Sequence, residues 1–278
     1  RSIFLLVVTG AIGAFLLYRG TGTFTQYGHS LSEFLFSTQW NPADTLAGGG
    51  HVGAGIFIVG SLLTCALALL IATPVSIGLA VYMAEITPRY GKQFWQPVVE
   101  IFVGIPSVIY GWMGLTVLVP FIQKHTESAS GFSVLAASIV LALMIFPTIT
   151  SVTMNALNAV PKTYRQGAYG LGATRFEVIT KIVLPVAKSG IMAGIVLGLA
   201  RAFGEALAIQ MVVGNAAILP TSLTSPASTL TSVLTQGIGN TIMGTVQNNV
   251  LWSLALILLL MSLLFNIGMR AIAKRGSL

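Results

Sequence analysis

Over residues 166–185 the chain reads QGAYGLGATRFEVITKIVLP, and this polar, basic stretch lies between long apolar runs. Pro161 precedes it at a position where a helix can begin, because the missing N–H of proline would be unpaired in the first turn anyway. Gly172 offers a place for that helix to end. Thr174 and Glu177 then have the spacing of a capping box. The stretch therefore predicts a helix, a turn and a second helix.

The remainder of the chain is dominated by apolar residues. Of its 278 residues, 55% are hydrophobic and only 8% are charged, and the mean hydropathy is +0.87. Soluble domains carry about a quarter charged residues, so the composition argues against a soluble protein. Apolar runs of about 20 residues cross a bilayer as helices, which satisfy their own backbone groups in lipid. We therefore predict an all-α, polytopic membrane helical bundle that forms one transmembrane domain over residues 1–278.

Hydropathy predicts six spans, and the charges between them predict the orientation. Eleven basic residues lie at one set of span ends, whereas the other set carries only Arg19 and Lys124. Since basic residues favour the cytoplasmic side, we expect both termini and a loop at 155–186 inside, and segments 20–53 and 215–247 outside. The basic excess is thus a topology signal of a multi-pass protein in the plasma or inner membrane, not a nucleic-acid site. The predicted spans are 2–19, 54–83, 94–122, 133–154, 187–214 and 248–270.

Motifs for bound cofactors and for catalysis are missing from the sequence. The glycine-rich stretch at 48–55 lacks the Gly-Lys-Ser/Thr of an ATP-binding loop, and no His, Cys or carboxylate cluster has the spacing of a zinc site. The single cysteine, Cys65, is expected to pack in an apolar run. We predict no catalytic residue, no metal site and no cofactor on this chain. Because the chain starts at Arg1 without Met, we also expect that the native N-terminus is missing or was trimmed.

Three ionisable residues are predicted inside the spans, namely Glu100, Arg201 and Glu205. A charge at mid-bilayer costs at least about 2.5 kcal/mol on insertion scales, so each should face protein or water. Arg201 and Glu205 are four residues apart, and on one helix they would share a face. Two interpretations stay open. The pair is a structural ion pair that fixes packing, or Arg201 faces a translocation path and meets a passing anion with its planar fork of donors.

Glycine and proline shape the helices that carry these charges. Glycine recurs every four residues from 190 to 198, on the helix of Arg201. Such a stripe of small residues allows close helix contact, so this face should line the bundle interior or a subunit interface. Near Glu100, Gly104 and Pro106 predict a kink, because proline cannot donate to the helix ladder. Interrupted spans often line substrate sites in transporters, and plain kinked packing is the alternative.

The quoted stretch resembles the cytoplasmic coupling loop of ATP-binding-cassette importer permeases, whose pattern is Glu-Ala-Ala, three residues, Gly, nine residues and Ile-x-Leu-Pro. Ala168, Gly172 and the run at 182–185 match it, whereas Gln166 and Gly167 depart from it. The resemblance implies docking in a groove of a separate ATPase subunit, which would bind the ATP and magnesium. A helix lying on the lipid of the anionic inner leaflet is the alternative. The docking residues would be the apolar Tyr164, Ala168, Leu171 and Phe176, together with Gln166, Gly167 and Gly172.

Further stretches resemble the phosphate importer permeases of this class. They are EIFVGIPSVIYG at 100–111, LMIFPTIT at 143–150, RAFGE at 201–205 and MVVGN at 211–215, the last being closer to the C-type subunit than to its A-type partner. The resemblance covers nearly the whole chain and implies the type I importer architecture. In that family the Arg and Glu of RAFGE are linked to transport, which implies a translocation path with Arg201 and Glu205, and with Glu100 in a less clear role.

The resemblance also implies the partners. A second homologous permease of the A type, two ATPase subunits and an extracytoplasmic phosphate-binding protein would complete an importer that moves inorganic phosphate by alternating access. An importer for another oxyanion, such as molybdate or sulfate, is the nearest alternative, and a gated ion channel is a more distant one. The chain itself would be a transport subunit and not an enzyme.

Overall fold

Long apolar helices dominate the computed structural model, which describes residues 2–43, 49–87, 89–126 and 129–275. Within these ranges, four helical stretches are long and apolar enough to cross a membrane, and a fifth span results if one bent pair of helices counts as one. The prediction of an all-α membrane bundle is therefore confirmed. The long stretches are Gly55–Ile86, Val134–Ala159, Arg175–Gly204 and Val246–Ala271, and the bent pair is Gln93–Gly104 with Ser107–His125.

The elements follow one another along the chain with few strands between them. The helices are α1 (Ser2–Gly20), α2 (Gly22–Thr25), α3 (Leu31–Phe36), α4 (Gly55–Val81), α5 (Arg89–Gly104), α6 (Ser107–Met113), α7 (Val119–His125), α8 (Val134–Ala159), α9 (Lys162–Gly170), α10 (Arg175–Val178), α11 (Leu184–Gly204), α12 (Leu207–Val212), α13 (Leu230–Gly237) and α14 (Val246–Arg275). The strands are β1 (Trp40–Pro42) and β2 (Gly50–Val52). Wider π-helical turns continue α4 at Tyr82–Ile86, join α6 to α7 at Gly114–Leu118, and join α10 to α11 at Ile179–Val183.

Helix α1 occupies the first predicted span. Its 19 residues extend over about 28 Å at a rise of about 1.5 Å per residue. Within the described residues, α1 is not among the helices counted above as long and apolar enough to cross a membrane. Near its C-terminus, the Phe15 ring meets Trp252 edge to face at 5.4 Å between centroids. The Arg19 guanidinium lies 5.8 Å from the centre of the same Trp252 ring. Aromatic and cation–π contacts thus fasten the end of α1 to α14.

The chain divides into two compact units. The first comprises residues 1–64, 111–137 and 205–263, and the second comprises 65–110, 138–204 and 264–278. In the first unit, the buried rings of Phe34 and Phe57 lie in one apolar core with Leu230, Leu251 and Leu254. A short antiparallel pair, with Trp40 opposite Val52, covers part of this core. Within the predicted outer segment 20–53, residues 44–48 lie outside the described residues.

In the second unit, α11 packs closely on α8 through the predicted glycine stripe. A Cβ atom built on Gly190 would lie 2.3 Å from Cβ of Ala156, and one built on Gly198 would lie 2.6 Å from Cγ1 of Ile149. Real Cβ atoms need more than about 3 Å, so only glycine permits this approach of the two helices. The stripe therefore lies in the interior of the unit, which was one of the two predicted places for it.

Replacing Gly190 by alanine is expected to separate α8 from α11 and to destabilise the protein by about 1–3 kcal/mol, the usual cost of overpacking. The double variant Gly190→Ala/Ala156→Gly moves the methyl group to the other helix and should recover most of the stability. Gly268→Ala is the matched control, because a Cβ atom at this glycine in α14 meets nothing within 4 Å. The thermal unfolding midpoint in detergent measures all three. A Gly190→Ala variant as stable as the control would contradict the packing.

Candidate functional site

Residues 162–178, here called the docking segment, form the predicted helix, turn and helix. Helix α9 begins directly after Pro161 and is closed by a turn in which the Ala173 N–H donates to the Ala168 carbonyl at 3.1 Å. Gly172 adopts a φ of +83° there. The Thr174 side chain accepts from the Glu177 N–H, and the Glu177 carboxylate accepts from the Thr174 N–H at 3.1 Å. The predicted glycine turn and capping box are both confirmed.

The outer surface of the docking segment is apolar. Leu171 is 91% exposed, Phe176 is 75% exposed and Tyr164 is 53% exposed. Ala168 points the other way, because it is buried and packs with Val178 in the core of the second unit. The expectation that Ala168 belongs to the exposed apolar set is therefore wrong, since its side of the short helix α9 faces the core. Gln166, Gly167 and Gly172 are exposed as the docking prediction requires.

Two ionisable residues behind this surface were not singled out from the sequence. The Glu85 carboxylate lies 2.6 Å from Nη2 of Arg165, and both side chains are largely buried. In the sequence, Arg165 is one of the eleven basic residues that indicate topology, and Glu85 belongs to none of the motifs above. The one available signal was an acidic residue directly at the end of an apolar span.

Arg201 lies in α11, where its Nη1 donates a hydrogen bond to Oγ1 of Thr148 in α8 at 2.9 Å. One turn earlier, Gly198 brings the two helices together against Ile149. The bond joins two of the resembling stretches, RAFGE and LMIFPTIT. The partner is a neutral hydroxyl, so this bond brings no negative charge to the guanidinium.

Glu205 lies in a break of the chain and not in the helix of Arg201. Helix α11 ends at Gly204, and α12 begins at Leu207. The Glu205 Oε1 accepts a hydrogen bond from the Ala208 N–H at 3.1 Å. The first N–H groups of a helix have no partner within it, so this carboxylate serves the start of α12. The prediction of one helix over 187–214, on which Arg201 and Glu205 share a face, is therefore wrong.

Glu100 lies in α5 and accepts a hydrogen bond from Nε2 of Gln96 at 3.1 Å. It borders a small pocket of about 80 Å³, which is also lined by Gln96 of α5 and by polar residues of α8 that include Thr150. Thr150, in the lining of this pocket, lies two residues along α8 from Thr148, the partner of Arg201. Over the described residues the structure assigns no hydrogen bond or ion pair between Glu100 and Arg201.

The predicted kink beside Glu100 is a complete break. The helices Gln93–Gly104 and Ser107–His125 meet at 92°. Pro106 has no N–H, so the Phe102 carbonyl loses its helical donor. The Tyr110 hydroxyl replaces that donor at 2.8 Å. As to metal ligands, the described ranges hold no group of three or more His, Cys, Asp or Glu side chains that could bind an ion.

The chain shares this architecture with known transport proteins. Residues 76–277 match the family described as "Binding-protein-dependent transport system inner membrane component". The chain belongs to this family. It is thus a multi-pass membrane permease component of an ATP-binding-cassette transporter, a transport subunit and not an enzyme, and its class works with ATPase and substrate-binding partners.

Curated relatives span nearly the whole chain. It is 47% identical over 274 residues to the probable ABC transporter permease protein YqgH of Bacillus subtilis, covering 99% of this chain and 88% of that protein. It is 36% identical over 280 residues to the phosphate transport system permease protein PstC of Pasteurella multocida, covering 94% and 84%.

Solved structures show the same fold at low sequence identity. A bacterial importer of the acidic polysaccharide alginate has a TM-score of 0.64 at 16% identity, covering 98% of this chain and 95% of that chain. An inward-facing form of the MetNI methionine transporter has a TM-score of 0.58 at 19% identity, covering 81% and 94%. Both likenesses support the type I importer permease fold.

Substituting Gly172 should loosen the docking segment through backbone strain alone. A Cβ atom there meets nothing within 4 Å, but the φ of +83° costs an L-residue about 1–2 kcal/mol. We expect amide hydrogen exchange over 162–178 to rise in the order Gly172, Gly172→Asn, Gly172→Ala and Gly172→Val, because Asn tolerates this conformation best. Gly167→Ala and Gly170→Ala are controls inside α9 with equally open space. Equal exchange in the Gly172 and control variants would contradict the turn.

Proposed function

We propose that this chain is the C-type permease subunit of an ATP-driven importer of inorganic phosphate. The observation that carries the proposal is the position of Arg201, a full positive charge held inside the bundle by the neutral hydroxyl of Thr148. A guanidinium has five N–H donors, and the bond to Thr148 uses one of them. The remaining donors suit the oxygens of a tetrahedral oxyanion. The phosphate transport permeases among the relatives support phosphate as that anion.

The structural-ion-pair interpretation of Arg201 has less support. A buried arginine retained for packing should lie against a carboxylate, because an unpaired buried charge is costly. The bond assigned to Arg201 goes to Thr148, and the bond assigned to Glu205 goes to the Ala208 N–H. We therefore assign Arg201 to the translocation path, Glu205 to the start of α12, and Glu100 to the polar pocket between α5 and α8.

One continuous helical stretch would connect the ATPase subunit to this path. Arg175–Gly204 runs without interruption from the docking segment to Arg201, over about 39 Å at about 1.5 Å per residue. The exposed Leu171 and Phe176 would occupy a groove of the ATPase subunit, as apolar anchors of helices commonly do. Movement of that groove would then shift Arg201 between an outward-open and an inward-open state.

The remaining partners complete the proposed transporter. A homologous A-type permease would form the other half of the path, and an extracytoplasmic phosphate-binding protein would deliver the anion. The chain would act as one transmembrane domain over residues 1–278, with both termini and the docking segment in the cytoplasm and with segments 20–53 and 215–247 outside. No ATP or magnesium would bind to this chain.

Uptake of radiolabelled phosphate into liposomes that hold the complete transporter tests the function. Arg201→Gln should lower ATP-dependent uptake at least about tenfold, because a hydrogen bond to a charged group contributes about 1.5–3 kcal/mol. Arg201→Lys should recover little of it, since an ammonium lacks the planar fork. Lys188→Gln is the control, because it removes an exposed positive charge from the same helix. If unlabelled sulfate or molybdate competes with the labelled phosphate as well as unlabelled phosphate does, the substrate is another oxyanion. If phosphate flux does not depend on ATP, the protein acts as a channel.

Cysteine labelling tests the orientation. In a Cys65→Ala background, which removes the buried native thiol, an impermeant maleimide should label Asn41→Cys in intact cells. Leu171→Cys, at the most exposed point of the docking segment, should react only after permeabilisation. Ala80→Cys is buried and should react under neither condition. Labelling of residue 171 in intact cells would reverse the proposed topology.

A further inference from the structure

A side-chain junction holds the docking segment from behind. Glu85 lies in the π-helical turn that continues α4. Its carboxylate accepts hydrogen bonds from Nε and Nη2 of Arg165, at 3.2 Å and 2.6 Å to Oε1. The Glu85 side chain is only 11% exposed and that of Arg165 only 17%. A guanidinium that binds through two nitrogens fixes orientation as well as distance, so the junction holds α9 rigidly against the end of α4.

Arg165 also binds the end of α8. Its Nη2 donates to the Leu157 carbonyl at 2.8 Å, and its Nη1 donates to the Val160 carbonyl at 2.6 Å. Leu157 is in the last turn of α8, whose final carbonyls have no partner within the helix. One guanidinium therefore connects the docking segment to the ends of two long helices.

The second helix of the docking segment meets the same acidic residue. Arg175, the first residue of α10, donates to the backbone carbonyl of Glu85. Glu85 thus holds α9 through its carboxylate and α10 through its carbonyl. The π-helical turn around it is closed by the Thr87 N–H, which donates to the Tyr82 carbonyl at 2.8 Å. Single π turns are frequent at functional sites, and this one presents both groups of Glu85 to the docking segment.

Apolar contacts would keep the segment in place without this junction. Ala168 and Val178 are buried in one core cluster with Met83 and Leu157. A largely desolvated ion pair is commonly no more stabilising than apolar side chains in its place. What the ion pair adds is a fixed, directional connection between the docking segment and two helix ends.

We propose that Glu85 and Arg165 form a coupling tether, which carries movement of the docking segment to α4 and α8. The inference rests on the proposed function, in which an ATPase subunit binds the docking segment. Helix α11 continues the docking segment covalently, so it moves in any case. The tether makes α4 and α8 move with it, and α8 carries Thr148, the partner of Arg201. Glu85 and Arg165 are positioning residues in this role, and they touch neither the anion nor ATP.

The test uses the complete transporter with its partner permease, ATPase subunits and binding protein. Glu85→Gln and Arg165→Lys are compared with Lys181→Gln, which removes the exposed ion pair with Glu177 in the same region. The readouts are ATP-dependent changes in amide hydrogen exchange over residues 79–87 and 162–178, and phosphate uptake per ATP hydrolysed.

In the unmodified chain and in Lys181→Gln, ATP should change exchange in both regions. In the two tether variants it should change exchange only over 162–178. Uptake per ATP should fall at least about fivefold in them, the lower end of usual coupling between sites. An ATP-dependent change over 79–87 that survives in both tether variants would overturn the tether.

The double variant Glu85→Gln/Arg165→Gln separates coupling from packing, because it leaves no lone buried charge. A tether predicts an assembled complex that stays uncoupled. A packing role predicts that assembly and uptake per ATP recover together, and this result would also overturn the proposal. A failure of the proposed function is seen in the unmodified chain. If ATP leaves the hydrogen exchange of residues 162–178 unchanged, the docking segment does not bind the ATPase, and the tether is refuted as well. If exchange changes but phosphate is not taken up, only the assigned anion is refuted.

Discussion

Lipid offers no hydrogen bonds to a protein backbone. Where a helix breaks within a span, other groups of the protein must therefore replace the lost backbone hydrogen bonds. The chain breaks after Gly104 and again after Gly204. At the first break the Tyr110 hydroxyl serves the carbonyl that Pro106 leaves without a donor, and at the second the Glu205 carboxylate serves an N–H of α12. An unsatisfied backbone group in the bilayer core costs several kcal/mol, so a break there requires such a replacement hydrogen bond. Tyr110 and Glu205 thus each have a structural task that does not depend on a role in transport.

Close packing of α11 on α8 determines where the positive charge lies. Because Gly190 and Gly198 have no Cβ atom, the two helices can approach closely enough for Arg201 to reach Thr148. The same α11 continues into the docking segment, and the same α8 ends at the carbonyls that bind Arg165. Both partners of the Arg201–Thr148 bond therefore connect to the docking segment. A relative shift of these two helices would therefore alter the surroundings of Arg201.

The features that the sequence predicts well are local. The Gly172 turn, the Thr174–Glu177 capping box and the break at Pro106 each follow from a few adjacent residues whose backbone chemistry allows little else. The break after Gly204 could not be predicted this way, because GEALA contains no proline and favours a continuing helix. Ala168 was assigned to the wrong side because a motif position does not show which face of a nine-residue helix is covered. Glu85 and Arg165 are 80 positions apart, so only the fold brings them together.

A carrier must bind its anion and also release it, and in the proposed role of Arg201 a hydroxyl partner would suit both needs. The Arg201–Thr148 bond has one charged partner, whereas bonds from a guanidinium to an oxyanion join two opposite charges and can form in pairs. On the proposed translocation path an oxyanion would therefore displace Thr148 from the guanidinium, while a bidentate carboxylate in that position would resist displacement. Once the anion has left, Thr148 would again occupy one donor of the guanidinium and limit the cost of its charge. Arg165 shows the opposite arrangement, since its carboxylate and two carbonyl partners leave it no freedom to exchange. The two arginines thus differ in the charge of their partners. In the proposed roles, this difference leaves Arg201 free to bind a transient ligand and holds Arg165 tightly enough to transmit movement.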